Sequence, residues 1–231
     1  MISRRRLLID GAISVGLGRY AWSEEFEPVE LEFPGVELDA ELPLVAGANT
    51  SGYTTCQVQV LQTDGKMVWQ SKEWGTEPNK SNSAATPRLG GSGEKKHVVR
   101  AVMRPTRSTV PSMSVAVHQG TDVDKTQIEM LAEQARFVTD PAQRPTGGHF
   151  AITLYFDSTV TLQIWSGNSA RGVPVFQAQS HNVQAGGNRV PWDLHTKSGY
   201  AAPGRYVALL TCSPNQEGRA PTFLGSSFGV I

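Results

Sequence analysis

Apolar and polar side chains alternate with a period of two through most of this chain. Phe150, Ile152, Leu154 and Phe156 fall on one side of an extended segment, with Ala151, Thr153, Tyr155 and Asp157 on the other. The next segment repeats the pattern, Val160, Leu162 and Ile164 opposing Thr161, Gln163 and Trp165. Successive side chains of a strand point to opposite faces, so this spacing predicts half-buried strands. Val173 and Val175, then Val190, Trp192 and Leu194, then Tyr206, Ala208, Leu210 and Cys212 continue the series, with turn signals at 185–188, 197–199 and 203–204. Short strands punctuated by Gly and Pro predict an antiparallel β-sandwich.

The first half follows the same grammar. Val29, Leu31 and Phe33 alternate with Glu30 and Glu32, and the run 56–61 leads through Asp64 and Gly65 to a second run at 66–69. An Asp-Gly pair between two apolar runs is a strong hairpin signal, because the turn needs positive φ. Residues 97–103 and 113–118 supply two further strands. Two interruptions stand out. The polar stretch 75–96, with Pro78, Pro87, Gly90, Gly91 and Gly93, is too long for an ordinary sandwich loop and predicts a contact surface or a mobile segment. Residues 126–134 are the helical candidate, Thr126 and Glu129 being spaced as a capping box with Ile128, Leu131 and Ala132 on one side. Pro141, Pro145, Gly147 and Gly148 then mark a boundary. The expected organisation is all-β: two immunoglobulin-like or fibronectin-like antiparallel sandwiches at 24–120 and 148–231, joined by a linker at 121–147 with one short helix.

Composition narrows the function. Residues 1–23 form a separate N-terminal tag. Ser3, Arg4, Arg5 and Arg6 precede the apolar run Leu7, Leu8 and Ile9, and Ala21, Trp22 and Ser23 set two small residues around a large one, as signal peptidase cleavage requires. The order of serine, two arginines, any residue and two apolar residues resembles a twin-arginine signal. That resemblance implies a chain that folds in the cytoplasm and crosses the membrane already compact, through the Tat translocase. The apolar run is too short and too rich in Gly to span a bilayer. The whole chain carries 21 basic and 21 acidic residues, and without the tag 17 face 20, a mature charge of about −3. No basic surface is available for nucleic acid or for an anionic membrane. Cys56 and Cys212 each continue an apolar alternation and read as buried free thiols rather than as a bridge.

In the second half Val160, Leu162 and Ile164; Val173 and Val175; Gly186 and Gly187; Trp192 and Asp193; Gly199; and Pro203, Gly204 and Tyr206 follow one another in fixed order. The series resembles the immunoglobulin-like module at the C-terminus of the flagellar hook-capping protein FlgD, and covers roughly a third of the chain. The resemblance implies a sandwich whose Trp192, Asp193, Gly199, Pro203, Gly204 and Tyr206 are structural. An Asp just after a buried Trp is placed to accept backbone N–H groups and pin the following loop. The family has Gly directly after Trp-Asp, where this chain has Leu194.

Candidate chemistry is sparse. Gly225, Ser226, Ser227, Phe228 and Gly229 satisfy G-x-S-x-G by letter, but that motif works on a strand-to-helix elbow and this copy ends two residues before the chain does. Asp193 and His195, with His181, could gather on a metal, and Met103, Met113, His118 and Met130 suit copper, although loop pinning and core filling are the plainer roles. Glu30, Glu32, Glu37, Asp39 and Glu41 read as a solvated strand face. Trp165, on the polar side of its strand, and Trp74 are the candidate exposed rings for a sugar or a protein partner. The expectation is an exported, periplasmic or secreted protein without cofactor, acting as a structural or interaction subunit of an envelope, secreted or surface assembly. Polysaccharide binding through Trp165 and Trp74 is the first alternative, and an enzyme with its site in the N-terminal half the second.

Overall fold

The computed structural model describes residues 27–38, 42–50, 54–77, 81–86, 89, 96–105, 113–119, 128, 135–139 and 147–231. The expected export tag at 1–23 lies outside them, as does the expected helix at 126–134 apart from the buried Ile128. The described residues form an all-β antiparallel sandwich. Its strands are β1 (Val29–Glu37), β2 (Leu44–Thr50), β3 (Thr54–Gln62), β4 (Met67–Gln70), β5 (Trp74–Thr76), β6 (Ser81–Ala85), β7 (Lys96–Pro105), β8 (Met113–Gln119) and β9 (Arg136–Thr139). The second half adds β10 (Gly148–Leu154), β11 (Ser158–Ser166), β12 (Phe176–Val183), β13 (Gly186–Trp192), β14 (His195–Thr196), β15 (Gly199–Tyr200), β16 (Gly204–Pro214) and β17 (Thr222–Val230).

The strands stack in three layers. A five-stranded sheet runs β1-β7-β3-β4 with β5 beside β3; a seven-stranded sheet runs β12-β11-β16-β17-β8-β2-β6; and a three-stranded sheet runs β13-β10-β9. The seven-stranded sheet lies in the middle, because its two faces feed two different cores. Val115, Val117, Val207, Leu209 and Phe223 pack with Leu31, Phe33, Val58 and Val60 of the first layer. Ala116, Leu162, Ile164, Leu210 and Leu224 pack instead with Phe150, Ile152 and Trp192 of the third. A strand covered on both sides has no solvent face, and β8 is buried at all of its seven positions.

This layering crosses the boundary between 24–120 and 148–231. β8 from the first range pairs with β17 from the second, Val117 opposite Phe223 and Val115 opposite Gly225, so both ranges contribute to one sheet. The physical reason lies in β8 and β17, whose inner and outer side chains are both apolar or small, so neither strand can face water. The stretch 75–96, expected to be a loop, contains the end of β5 and all of β6, which closes one end of the central sheet against β2.

The Asp64-Gly65 turn joins β3 to β4. Gly65 has φ +90°, its N–H donates to the Gln62 carbonyl at 3.0 Å, and the Asp64 carboxylate accepts from the Lys66 N–H at 2.9 Å. The acidic strand face is only partly solvated. Arg100 Nε donates to Glu32 at 2.7 Å, and Arg171 reaches both Glu30, at 2.5 Å, and Glu32, at 3.0 Å. Arg171 stands on the β11–β12 turn, so these ion pairs clip the second half of the chain onto β1. Glu37 is exposed at the end of β1, and Asp39 and Glu41 lie outside the described residues.

Candidate functional site

The loop from Trp192 to Tyr206 holds a connected set of polar contacts in the second half. Trp192 closes β13 with 1% exposure, its ring among those of Phe137, Tyr206 and Phe228 at centroid distances of 5.7 to 5.8 Å. A buried indole needs an acceptor, and Trp192 Nε1 donates to the His195 carbonyl at 2.9 Å. Asp193 Oδ1 accepts the His195 N–H at 3.0 Å, while Oδ2 shares a 2.9 Å hydrogen bond with the His195 ring. The backbone N–H of His195, and then its ring, hold the Asp193 carboxyl below the usual carboxylate range. These bonds fold the chain tightly over Leu194, which sits at φ +64°, in the left-handed region. Tyr206 completes the corner by donating its hydroxyl to the Ala202 carbonyl, four residues upstream, at 2.8 Å. Pro203 and Gly204 make the turn between them, and Gly199 opens β15 at φ +122°.

The candidate aromatic platform does not form as expected. Trp165 is 7% exposed; its ring turns into the first core and its Nε1 donates to the Gly172 carbonyl at 3.2 Å. The alternation along β11 holds, but at its Trp165 end the face opposite the apolar one meets the first layer instead of water. Trp74 is half-buried on β5 and packs against the same core. Among the described residues the most exposed ring is Tyr200, 67% accessible and lying over His195 at a centroid distance of 4.2 Å. Its position on a two-residue strand gave no periodic signal by which to single it out.

The other candidates are spent on packing. Gly225 to Gly229 lie inside β17 rather than on an elbow; Ser226 and Ser227 are buried, and Ser227 accepts from Arg205 at 2.9 Å. A Cβ on Gly225 would come within 2.7 Å of Leu31 and 3.1 Å of Phe33, so the glycine is where the first layer presses on the central sheet. Met103 and Met113 are core residues, and Met130 lies outside the described residues. His181 stands exposed on β12, and among the described residues no three His, Cys, Asp or Glu side chains converge as metal ligands. Cys56 and Cys212 are free and buried in different cores. Burial pushes both thiols up to about 12, helped at Cys56 by the charge of Glu73, and a thiol held neutral is a poor nucleophile.

One recess lies at the end of the central sheet. His118 shares a 3.0 Å hydrogen bond with Thr222, Cys212 lines the wall, and the Arg219 guanidinium covers the Phe156 ring at 3.9 Å. Its volume of about 40 Å³ suits one or two waters. Outside it, Glu37, Leu38, Leu42, Gln119, Arg219 and Pro221 line a wider open depression.

Among the described residues no strand pairs with the outer edge of β12, the last strand of the central sheet. Gly167 N–H bonds to the Arg205 carbonyl and Val175 N–H to the Ile164 carbonyl, which fixes the parity of β11: Ile164, Leu162 and Val160 turn their backbone groups toward β12. By the same alternation Phe176, Ala178 and Ser180 face β11, and Gln177, Gln179 and His181 point their N–H and C=O groups outward. The stretch Gln177–His181 is exposed throughout and carries no Lys, Arg, Asp, Glu or Pro.

No protein-family model matches the sequence, and no curated protein matches it. Among solved structures the chain is similar to two crystal structures of the β-glucuronidase of Parabacteroides merdae, one of them with glycerol in its active site. Both give a TM-score of 0.34, with 10% and 11% identity. The likeness covers 89% of this chain but only 28% and 29% of the enzyme, so this chain spans less than a third of the length of those proteins. A similarity that distant carries no argument about activity.

Proposed function

We propose that this protein is an exported, non-catalytic subunit that binds other protein in a bacterial envelope, secreted or surface assembly, and that β12 is its contact strand. The observation that carries this reading is the difference between β12 and the edges at β1, β13 and β4; β6, at the far end of the same sheet, is also uncharged but has only five residues. Segment 168–170 lies along β1, Glu30 N–H bonding to the Asn168 carbonyl at 2.9 Å and Ala170 N–H to the Glu30 carbonyl at 3.1 Å. β13 carries Arg189 and Pro191, and β4 has only four residues. Each is a known way of blunting an edge, and eight-residue β12 carries neither charge nor proline along Gln177–His181 and, among the described residues, no covering strand. An open edge of this kind takes an extended segment by backbone hydrogen bonding.

Export through the Tat translocase rests on Ser3, Arg4, Arg5, Leu7 and Leu8, with cleavage after Ser23. Polysaccharide recognition loses its main support with Trp165 buried. The test is recovery of bound proteins, after mild cross-linking in the native host, with the wild-type chain and with Gln179→Pro. Proline at 179 removes an outward N–H and leaves the bonds to β11 intact. Partners held by the wild type and lost by the variant support the reading; an identical set of partners from both refutes it.

A further inference from the structure

The open part of β12 has two natural limits. On one side the chain's own Lys197 N–H already bonds to the outward Val175 carbonyl at 2.9 Å, so the edge has begun to accept another strand. On the other, Asn182 takes φ +54° and the register shifts between Ser158 and Val160, which turns the strand out of line. Between these limits lie Gln177 to His181, and their midpoint is Gln179.

Building on the reading of β12 as a contact strand, we propose that its partner is a second copy of this chain, paired antiparallel, β12 to β12, about a two-fold axis through Gln179. Only outward-facing residues can exchange backbone bonds, and this register uses all three: Gln177 with His181, Gln179 with its counterpart, and His181 with Gln177. Shifting the axis to Ala178 or Ser180 leaves one of the three unused. Isologous contacts place like on like, so a charge on the axis would oppose itself. Gln179 carries none, and its neighbours Ala178 and Ser180 are small and uncharged.

Side-chain chemistry agrees with the register. Gln163 Nε2 donates to Gln177 Oε1 at 3.3 Å, beginning a row of amides on one face of the sheet. Gln177, Gln179 and His181 share a face, so the self-pair extends that row across the axis with hydrogen-bonding groups opposite one another. The hairpin of β14 and β15, fixed to Val175 through Lys197, stands at the end of the edge where the second copy's strand leaves after His181. Five residues of edge bury little area compared with a permanent dimer, so the assembly is weak and depends on concentration.

Sedimentation velocity of the mature chain across a range of concentrations tests the proposal. The wild type is expected to shift from monomer to dimer, whereas Gln179→Pro stays monomeric. Gln179→Lys and Gln179→Glu, each tested alone, oppose like charges on the axis and stay monomeric; mixed in equal amounts they form the dimer again. The charge pair keeps the test decisive if the proline variant does not fold. A wild type that remains monomeric throughout, a Gln179→Lys variant that dimerises like the wild type, or a mixture that fails to recover would each overturn the two-fold pairing. Loss of a different protein partner from Gln179→Pro, with a monomeric wild type, would overturn self-pairing and leave the broader reading of β12 standing.

Discussion

Leu194 offers a sharp test of the Trp192 loop. A side chain at φ +64° costs about 1–2 kcal/mol, because its Cβ crowds the following carbonyl. The loop imposes that angle through three bonds: Trp192 Nε1 to the His195 carbonyl at 2.9 Å, His195 N–H to Asp193 at 3.0 Å, and Ala201 N–H to the Leu194 carbonyl at 2.8 Å. Leu194 also packs partly against the second core, so replacing it with Ala or Gly forfeits the same contacts. What separates the two variants is the backbone. Alanine keeps its Cβ and the strain, whereas glycine relieves the strain at a cost of about 0.5–1 kcal/mol in unfolded-chain freedom. Leu194→Gly should therefore exceed Leu194→Ala in stability by about 0.5–1 kcal/mol, or roughly 1–4 °C in Tm for a chain of this size. At an ordinary strand position such as Gln177 the order reverses, with Ala above Gly. Parallel urea and thermal unfolding of the four variants reads both differences. If alanine matched or exceeded glycine at 194, the loop would not be held in the left-handed region and the argument for its geometry would fail.

Tyr206→Phe removes only the hydroxyl that bonds Ala202, and urea unfolding should show a loss of about 1 kcal/mol; no change would mean that the corner contributes nothing. Trp165→Ala opens a cavity in the first core and should cost about 3–5 kcal/mol while leaving retention on polysaccharide columns where it was, so a selective loss of retention would restore the sugar reading. Cys56 and Cys212 ionise in the unfolded chain near 9.0 but in the folded one at about 12, so their contribution to stability is complete below pH 9 and disappears as pH rises from 9 to 12. Unfolding followed against pH should be steeper in the wild type than in Cys56→Ala combined with Cys212→Ala, and native thiols should resist alkylation until the chain unfolds.

The strand pattern was readable wherever one face met water or a single core. Phe150, Ile152 and Leu154 and the Asp64-Gly65 hairpin are such cases. Double burial was harder to see. The alternation makes Tyr206, Ala208, Leu210 and Cys212 the apolar face of β16, yet Val207 and Leu209 are buried on the other side, in the first core. The signal lay in the unbroken run Tyr206 to Leu210, which a strand with a wet face does not carry. Trp165 was misplaced for the same reason, since Thr161 and Gln163 made its face look exposed when the first layer covers only the Trp165 end. Pairing between β8 and β17 could not be read at all, because alternation says which way side chains point but not which distant strand lies beside them. The edge of β12 was legible in composition but not in position: its polar, uncharged residues became informative only once β12 was placed last in the sheet.

The most direct measurement is backbone amide hydrogen exchange along β12. In dilute protein the outward amides of Gln177, Gln179 and His181 should exchange rapidly while those of Ala178 and Ser180, bonded to β11, are protected; at high concentration all five should be slow. Outward amides that are protected at every dilution, or that remain fast however concentrated the protein, would contradict the account.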